Sequence, residues 1–100
     1  MKLKANVGRV IIQADNETTS SQLVIPEAFK KYQDRGTVIS VGDGRRHIDG
    51  KVYPIEAREG DRVVFRKDVA IPLDFNGARV FSVEAEGIIA FMVNDEFAAN

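Results

Sequence analysis

The stretch RGTVISVGDGRRHIDGKVYPIEAREGDRVVF, Arg35 to Phe65, decides the fold. It holds two short apolar runs, Thr37-Val38-Ile39-Ser40-Val41 and Arg62-Val63-Val64-Phe65, rich in the β-branched residues that suit a pleated, half-buried surface. Turn chemistry borders each: Gly42-Asp43-Gly44 follows the first and Glu59-Gly60-Asp61 precedes the second. The charged segment between them reads as a hairpin over about 43–54 with Asp49-Gly50 at its tip. The same rhythm continues outward, predicting strands near Lys2–Lys4, Arg9–Gln13, Leu73–Phe75, Arg79–Val83 and Ile88–Val93. Asn76-Gly77 is a two-residue hairpin signal, because both residues tolerate positive φ, and Gly87 suits a tight turn into the last strand. Many short strands in 100 residues predict a single all-β domain over 1–100, a small irregular β-barrel whose closure removes exposed edges.

One segment breaks this rhythm. Asp15 to Gln22, DNETTSSQ, is uninterruptedly polar with nothing to bury, so a mobile loop is expected over about 15–34. It runs into Leu23-Val24-Ile25 and then Pro26, which favours an extended Ile25 and ends strand pairing. The tripeptide reads either as a short core strand or as a hydrophobic anchor on a flexible tether. Glu27 to Asp34, EAFKKYQD, reads as about two helical turns with Phe29 and Tyr32 at i, i+3. Residues 94–100 are expected to fray.

Composition narrows the function classes. With 44% hydrophobic residues and a formal net charge of −1, the chain has the make-up of a folded domain without the basic footprint that phosphate neutralisation requires. No cysteine is present, which removes disulfides and thiolate metal sites. The basic, alternating start Met1 to Asn6 has no apolar run of signal-peptide type, and no window approaches the roughly 20 apolar residues of a membrane span. A cytoplasmic protein with no membrane association is expected.

Catalytic constellations are thin. His47 is the only histidine and sits in the charged hairpin, so no catalytic residue and no metal site is assigned. The carboxylates Asp43, Asp49, Glu56, Glu59 and Asp61 read as a solvated face. Gly42-Asp43-Gly44 lacks the following helix whose N–H groups hold a phosphate. Phe29-Lys30-Lys31-Tyr32 is the nearest thing to a stacking face for single-stranded nucleic acid, and it is small.

The order of these elements resembles the GroES-type co-chaperonin family. Gly8-Arg9-Val10 stands where the family carries Asp-Arg-Val, and Leu23-Val24-Ile25 matches its apolar loop tripeptide, with Ser21-Gln22 in place of the usual glycines. Arg35-Gly36-Thr37-Val38 and Val41-Gly42-Asp43-Gly44 are similar to the family's next strand and turn. Glu59 to Phe65 resembles its x-G-D-x-V-x-F element, and Glu84 to Ala90 its closing Ser-Glu-x-Asp-Ile-Leu-Ala, with Gly87 in place of Asp. The segment Arg66 to Pro72 departs from the family's Gly-rich turn, which leaves the inner surface of a lid atypical.

The resemblance implies a co-chaperonin that is not an enzyme. It would be a homo-oligomeric ring, a heptamer, that caps a large, ATP-driven GroEL-type chaperonin and assists protein folding. No cofactor of its own is implied; ATP is used by the partner. Carried over, Leu23, Val24 and Ile25 bind the chaperonin. Leu3, Lys4 and Ala5 pair with Ile88, Ile89, Ala90 and Phe91 between subunits, and Arg45, Arg46, His47, Asp49 and Gly50 belong to a roof hairpin. The implied compartment is the cytoplasm, that of the host if a phage encodes the chain. Two rivals are a small β-barrel binding module for nucleic acid or peptide, and a detached dehydrogenase-type domain of related fold. The charge balance opposes the first, and the lack of zinc-ligating cysteines the second.

Overall fold

The computed structural model of the protein describes residues 2–14 and 26–93. Leu23, Val24 and Ile25, with the polar stretch before them and the tail 94–100, lie outside the described residues. Among the described residues there are eight strands: β1 (Arg9–Ala14), β2 (Gln33–Val41), β3 (Arg45–Arg46), β4 (Val52–Tyr53), β5 (Arg62–Arg66), β6 (Ile71–Phe75), β7 (Ala78–Glu84) and β8 (Ile88–Met92). Six form an antiparallel sheet in the order β6-β7-β1-β2-β5-β8, while β3 and β4 pair as a separate hairpin. Among the described residues the only helical elements are three short 3-10 turns.

The sheet is rolled. Two strands, β1 and β2, stand between β7 and β5, so a flat sheet would hold those two roughly 14 Å apart, three strand spacings. Yet Phe65 of β5 and Phe81 of β7 touch, with ring centroids 5.4 Å apart. Around them Val10, Ile12, Val38, Val63 and Val83 are fully buried in one core. Burying each of these side chains contributes roughly 1.5–3 kcal/mol. This is the small all-β barrel expected from the strand pattern.

Rolling does not close the barrel with hydrogen bonds: β6 and β8 are the two ends of the sheet order and do not pair with each other. Pro72 blunts the β6 edge, since proline has no N–H to offer a further strand.

The outer face carries a second, smaller cluster. Side chains alternate along a strand, so Ile11 and Val80 point away from the side that buries Val10, Ile12 and Phe81. Both are nonetheless buried, because Leu3 and Ala5 lie across them. Ala5 N–H donates to Ser40 Oγ at 2.9 Å, and Lys4 Nζ donates to the Val41 carbonyl at 2.9 Å. Lys2–Lys4 is therefore a strap and not a strand of its own sheet, against the expectation from alternation. Both edges of β1 and β2 are already occupied by other strands.

Two other expectations change. The two helical turns predicted for Glu27–Asp34 shrink to one 3-10 turn, Glu27–Phe29, and the chain enters β2 at Gln33. Cross-strand pairing of Gln33 with Arg66 and of Asp34 with Phe65 claims the backbone that a second helical turn would need. Gly87 has no positive φ; it is buried in a 3-10 turn where a Cβ would stand 2.5 Å from Val83 Cγ2, so space and not turn conformation asks for glycine. Asn76-Gly77 behaves as expected, with φ of 52° and 79° between β6 and β7.

Candidate functional site

The site residues named from the sequence fall on three surfaces. The tripeptide Leu23-Val24-Ile25 lies outside the described residues, between the end of β1 at Ala14 and the 3-10 turn that Pro26 opens.

The second surface is formed by the chain's two ends. Leu3 is half-buried, Lys4 is exposed and Ala5 is buried within its own chain against Ile11 and Val80. In β8, Ile88 packs on the main core, whereas Ile89, Ala90 and Phe91 are exposed. One edge of β8 pairs with β5, in the register Val63–Phe91 and Val64–Ala90. The other edge meets no strand among the described residues, so its N–H and C=O groups are available for another chain. The two segments do not pair with each other within one chain.

The third surface is the hairpin. Arg45 pairs with Tyr53 and Arg46 with Val52, and the turn is closed by His47 N–H to the Lys51 carbonyl and Gly50 N–H to the His47 carbonyl, both 2.9 Å. Gly50 adopts φ 83°, the left-handed conformation that glycine permits at this tip. Asp49 fixes the turn from inside: one carboxylate oxygen accepts the Lys51 N–H at 2.9 Å and the other the Tyr53 hydroxyl at 2.9 Å. His47 stands edge-on to the Tyr53 ring, centroids 4.5 Å apart. Tyr53 thus organises the hairpin although it was not named from the sequence. The register that sets it opposite Arg45 appears only in the structure. Ile48 at the tip is fully exposed.

The base of the hairpin is fastened to the barrel through Arg45. Its guanidinium fills the space beside Gly8, where a Cβ would come within 2.8 Å of it. Arg45 Nη2 lies 3.9 Å from Glu84 Oε1, and Arg9 Nη1 lies 4.0 Å from the same oxygen. Arg9 is held in turn by Nε donating to Ser82 Oγ at 2.8 Å. These ion pairs are long and half-exposed, so they orient more than they stabilise.

Among the described residues no group of His, Asp and Glu gathers as metal ligands. The arrangement is one of edges, straps and projections. The family model of the chaperonin 10 Kd subunit matches residues 2–92. The chain belongs to the chaperonin 10 Kd subunit family. It is 38% identical over 94 residues to the co-chaperonin GroES of Herminiimonas arsenicoxydans, covering 92% of this chain and 98% of that one. It is 36% identical over 92 residues to the co-chaperonin GroES of Bordetella petrii, covering 90% and 97%. With the co-chaperonin GroES of Bifidobacterium animalis subsp. lactis it shares 37% identity over 87 residues, covering 86% and 88%.

In this member of the family, Gly8 stands where the resemblance expects aspartate, and its φ of 73° together with the Arg45 contact gives a reason. A side chain there would be strained and would displace the guanidinium. Among the described residues no helix is long and apolar enough to cross a membrane.

Proposed function

We infer that this co-chaperonin is the subunit of a ring-shaped lid, a heptamer, which caps a large ATP-driven chaperonin of GroEL type and assists protein folding in the cytoplasm. The observation that carries this reading is the family match over residues 2–92, nearly the whole chain. The unpaired edge of β8 and the strap Leu3-Lys4-Ala5 are proposed to meet between neighbouring subunits, adding a strand across each boundary. Arg45, Arg46, His47, Asp49 and Gly50 form the proposed roof. The lid performs no chemistry, needs no cofactor and acts on neither nucleic acid nor membrane; ATP is consumed by the partner.

Leu23, Val24 and Ile25 are proposed as the chaperonin-binding anchor, carried on a mobile segment. Burying three aliphatic side chains yields roughly 1.5–3 kcal/mol each. Ordering about ten loop residues costs on the order of 1–2 kcal/mol apiece. One loop alone therefore binds weakly. A ring presents several at high effective concentration, so the lid holds by avidity and releases as a unit when the partner changes state.

The test is Val24→Asp in the intact ring, followed by co-sedimentation with an ATP-loaded chaperonin. Capping is expected to disappear while native mass is unchanged. Undiminished capping, or a wild-type protein that stays monomeric by native mass spectrometry, overturns the reading.

A further inference from the structure

Phe29 and Tyr32 take no part in the surfaces described so far, and both stand half in solvent, 50% and 47% exposed. Tyr32 N–H donates to the Phe29 carbonyl at 2.9 Å, and Phe29 N–H donates to the Pro26 carbonyl at 2.9 Å. Successive backbone bonds between residues three apart wind the chain from Pro26 to Tyr32 into consecutive tight turns that carry both rings. The platform is fixed to the barrel. The Tyr32 carbonyl accepts from Lys67 N–H at 2.9 Å, and the next residue, Gln33, is already in β2 and paired with Arg66.

Its charge is modest. Lys30 Nζ is held by Glu27 at 2.9 Å, and Lys31 Nζ stands 5.2 Å from the Tyr32 ring centroid. One cation over the Tyr32 ring, with Phe29 exposed three residues before it, suits an apolar surface with a carboxylate at its border. It is a poor footprint for a phosphate backbone, which calls for several neutralising cations.

Position points to the occupant. Ile25 precedes Phe29 by four residues, at most about 14 Å of extended chain. Any partner surface that receives Leu23-Val24-Ile25 therefore lies within reach of the two rings. We propose that Phe29 and Tyr32 form a second, rigid contact with the same large chaperonin, docking on an apolar patch with a carboxylate beside it, next to the groove that takes the tripeptide. The inference rests on the co-chaperonin reading above. A contact built on a fixed turn has little ordering cost to overcome, so it adds affinity that the tether cannot.

The experiment uses the intact ring with Phe29→Ser and Tyr32→Ser together, beside Val24→Asp, and titrates each against an ATP-loaded chaperonin. The double variant is expected to keep its native mass and weaken capping about tenfold or more, the loss of roughly one well-buried aromatic side chain. Loss of capping in Val24→Asp with an effect under twofold in the double variant overturns the platform and leaves the lid reading standing. Undiminished capping by Val24→Asp removes both. A changed ring mass in the double variant assigns the rings to a subunit contact instead. Binding of a labelled single-stranded oligonucleotide at physiological salt, lost in the double variant, assigns them to nucleic acid; either result overturns the proposal. A direct readout is Phe29→Trp, the chain having no tryptophan of its own: its emission should move to the blue on capping, and an unchanged spectrum overturns the contact.

Discussion

Gly42→Ala is expected to damage folding and assembly together. Gly42 is buried where the N-terminal strap passes the end of β2, and a Cβ on it would overlap the Asn6 carbonyl oxygen. The Asn6 carbonyl carbon would lie at 2.7 Å and the Arg9 carbonyl oxygen at 3.0 Å; the carbon alone needs a retreat of about 0.7 Å to reach ordinary contact at 3.4 Å, and the overlapping Asn6 oxygen needs more. Two hydrogen bonds hold that place: Arg9 N–H to the Asn6 carbonyl at 3.0 Å and Gly42 N–H to the Arg9 carbonyl at 2.9 Å. Overpacking of this kind costs roughly 1–3 kcal/mol. Weakening both hydrogen bonds adds about 1 kcal/mol each. The expected loss is about 3–5 kcal/mol, or a fall in Tm of at least about 12 °C for a domain of this size. Thermal unfolding followed by circular dichroism at fixed protomer concentration measures it, since the proposed assembly would make Tm concentration-dependent. Leu3, Lys4 and Ala5, the proposed subunit contact, sit just before Asn6, so on that proposal native mass should also shift toward smaller species. A variant within about 2 °C of wild type, with unchanged native mass, would refute the claim that the strap is wedged against Gly42.

Phe65→Ala removes the side chain that joins β5 to β7 through Phe81. Phe65 is fully buried, so a loss of about 3–5 kcal/mol is expected in urea unfolding; less than about 1 kcal/mol would argue against a rolled sheet. Ser40→Ala takes away the acceptor of the buried Ala5 N–H, for an expected loss of about 1–3 kcal/mol. Hydrogen exchange at the Ala5 amide should accelerate in that variant, and unchanged protection would mean that the strap is held by something else.

Much of the fold was legible because its signals are local. Alternating Val and Ile, Asn76-Gly77 with both φ positive, and Asp49-Gly50 at a hairpin tip act within a few consecutive residues, and they located β1, β5, β7 and the hairpin to within a residue or two. The candidate site was legible in part: the open edge of β8 follows from its place at the end of the sheet order, which the sequence does not state. Tyr53 was missed because its work is a cross-turn hydrogen bond to Asp49, visible only once the register is known.

Taken alone, the sequence determined an all-β domain, the turns that punctuate it and the family to which the order of those turns corresponds. The tertiary structure decided that residues 2–5 form a strap and not a strand, that Gln33 and Asp34 extend β2 instead of a helix, and that Gly87 is required for space. The reason is range. Turn preference and alternation are properties of neighbouring residues, whereas a free strand edge or the room for a Cβ depends on partners far along the chain, as Ala5 depends on Ser40 and Phe65 on Phe81.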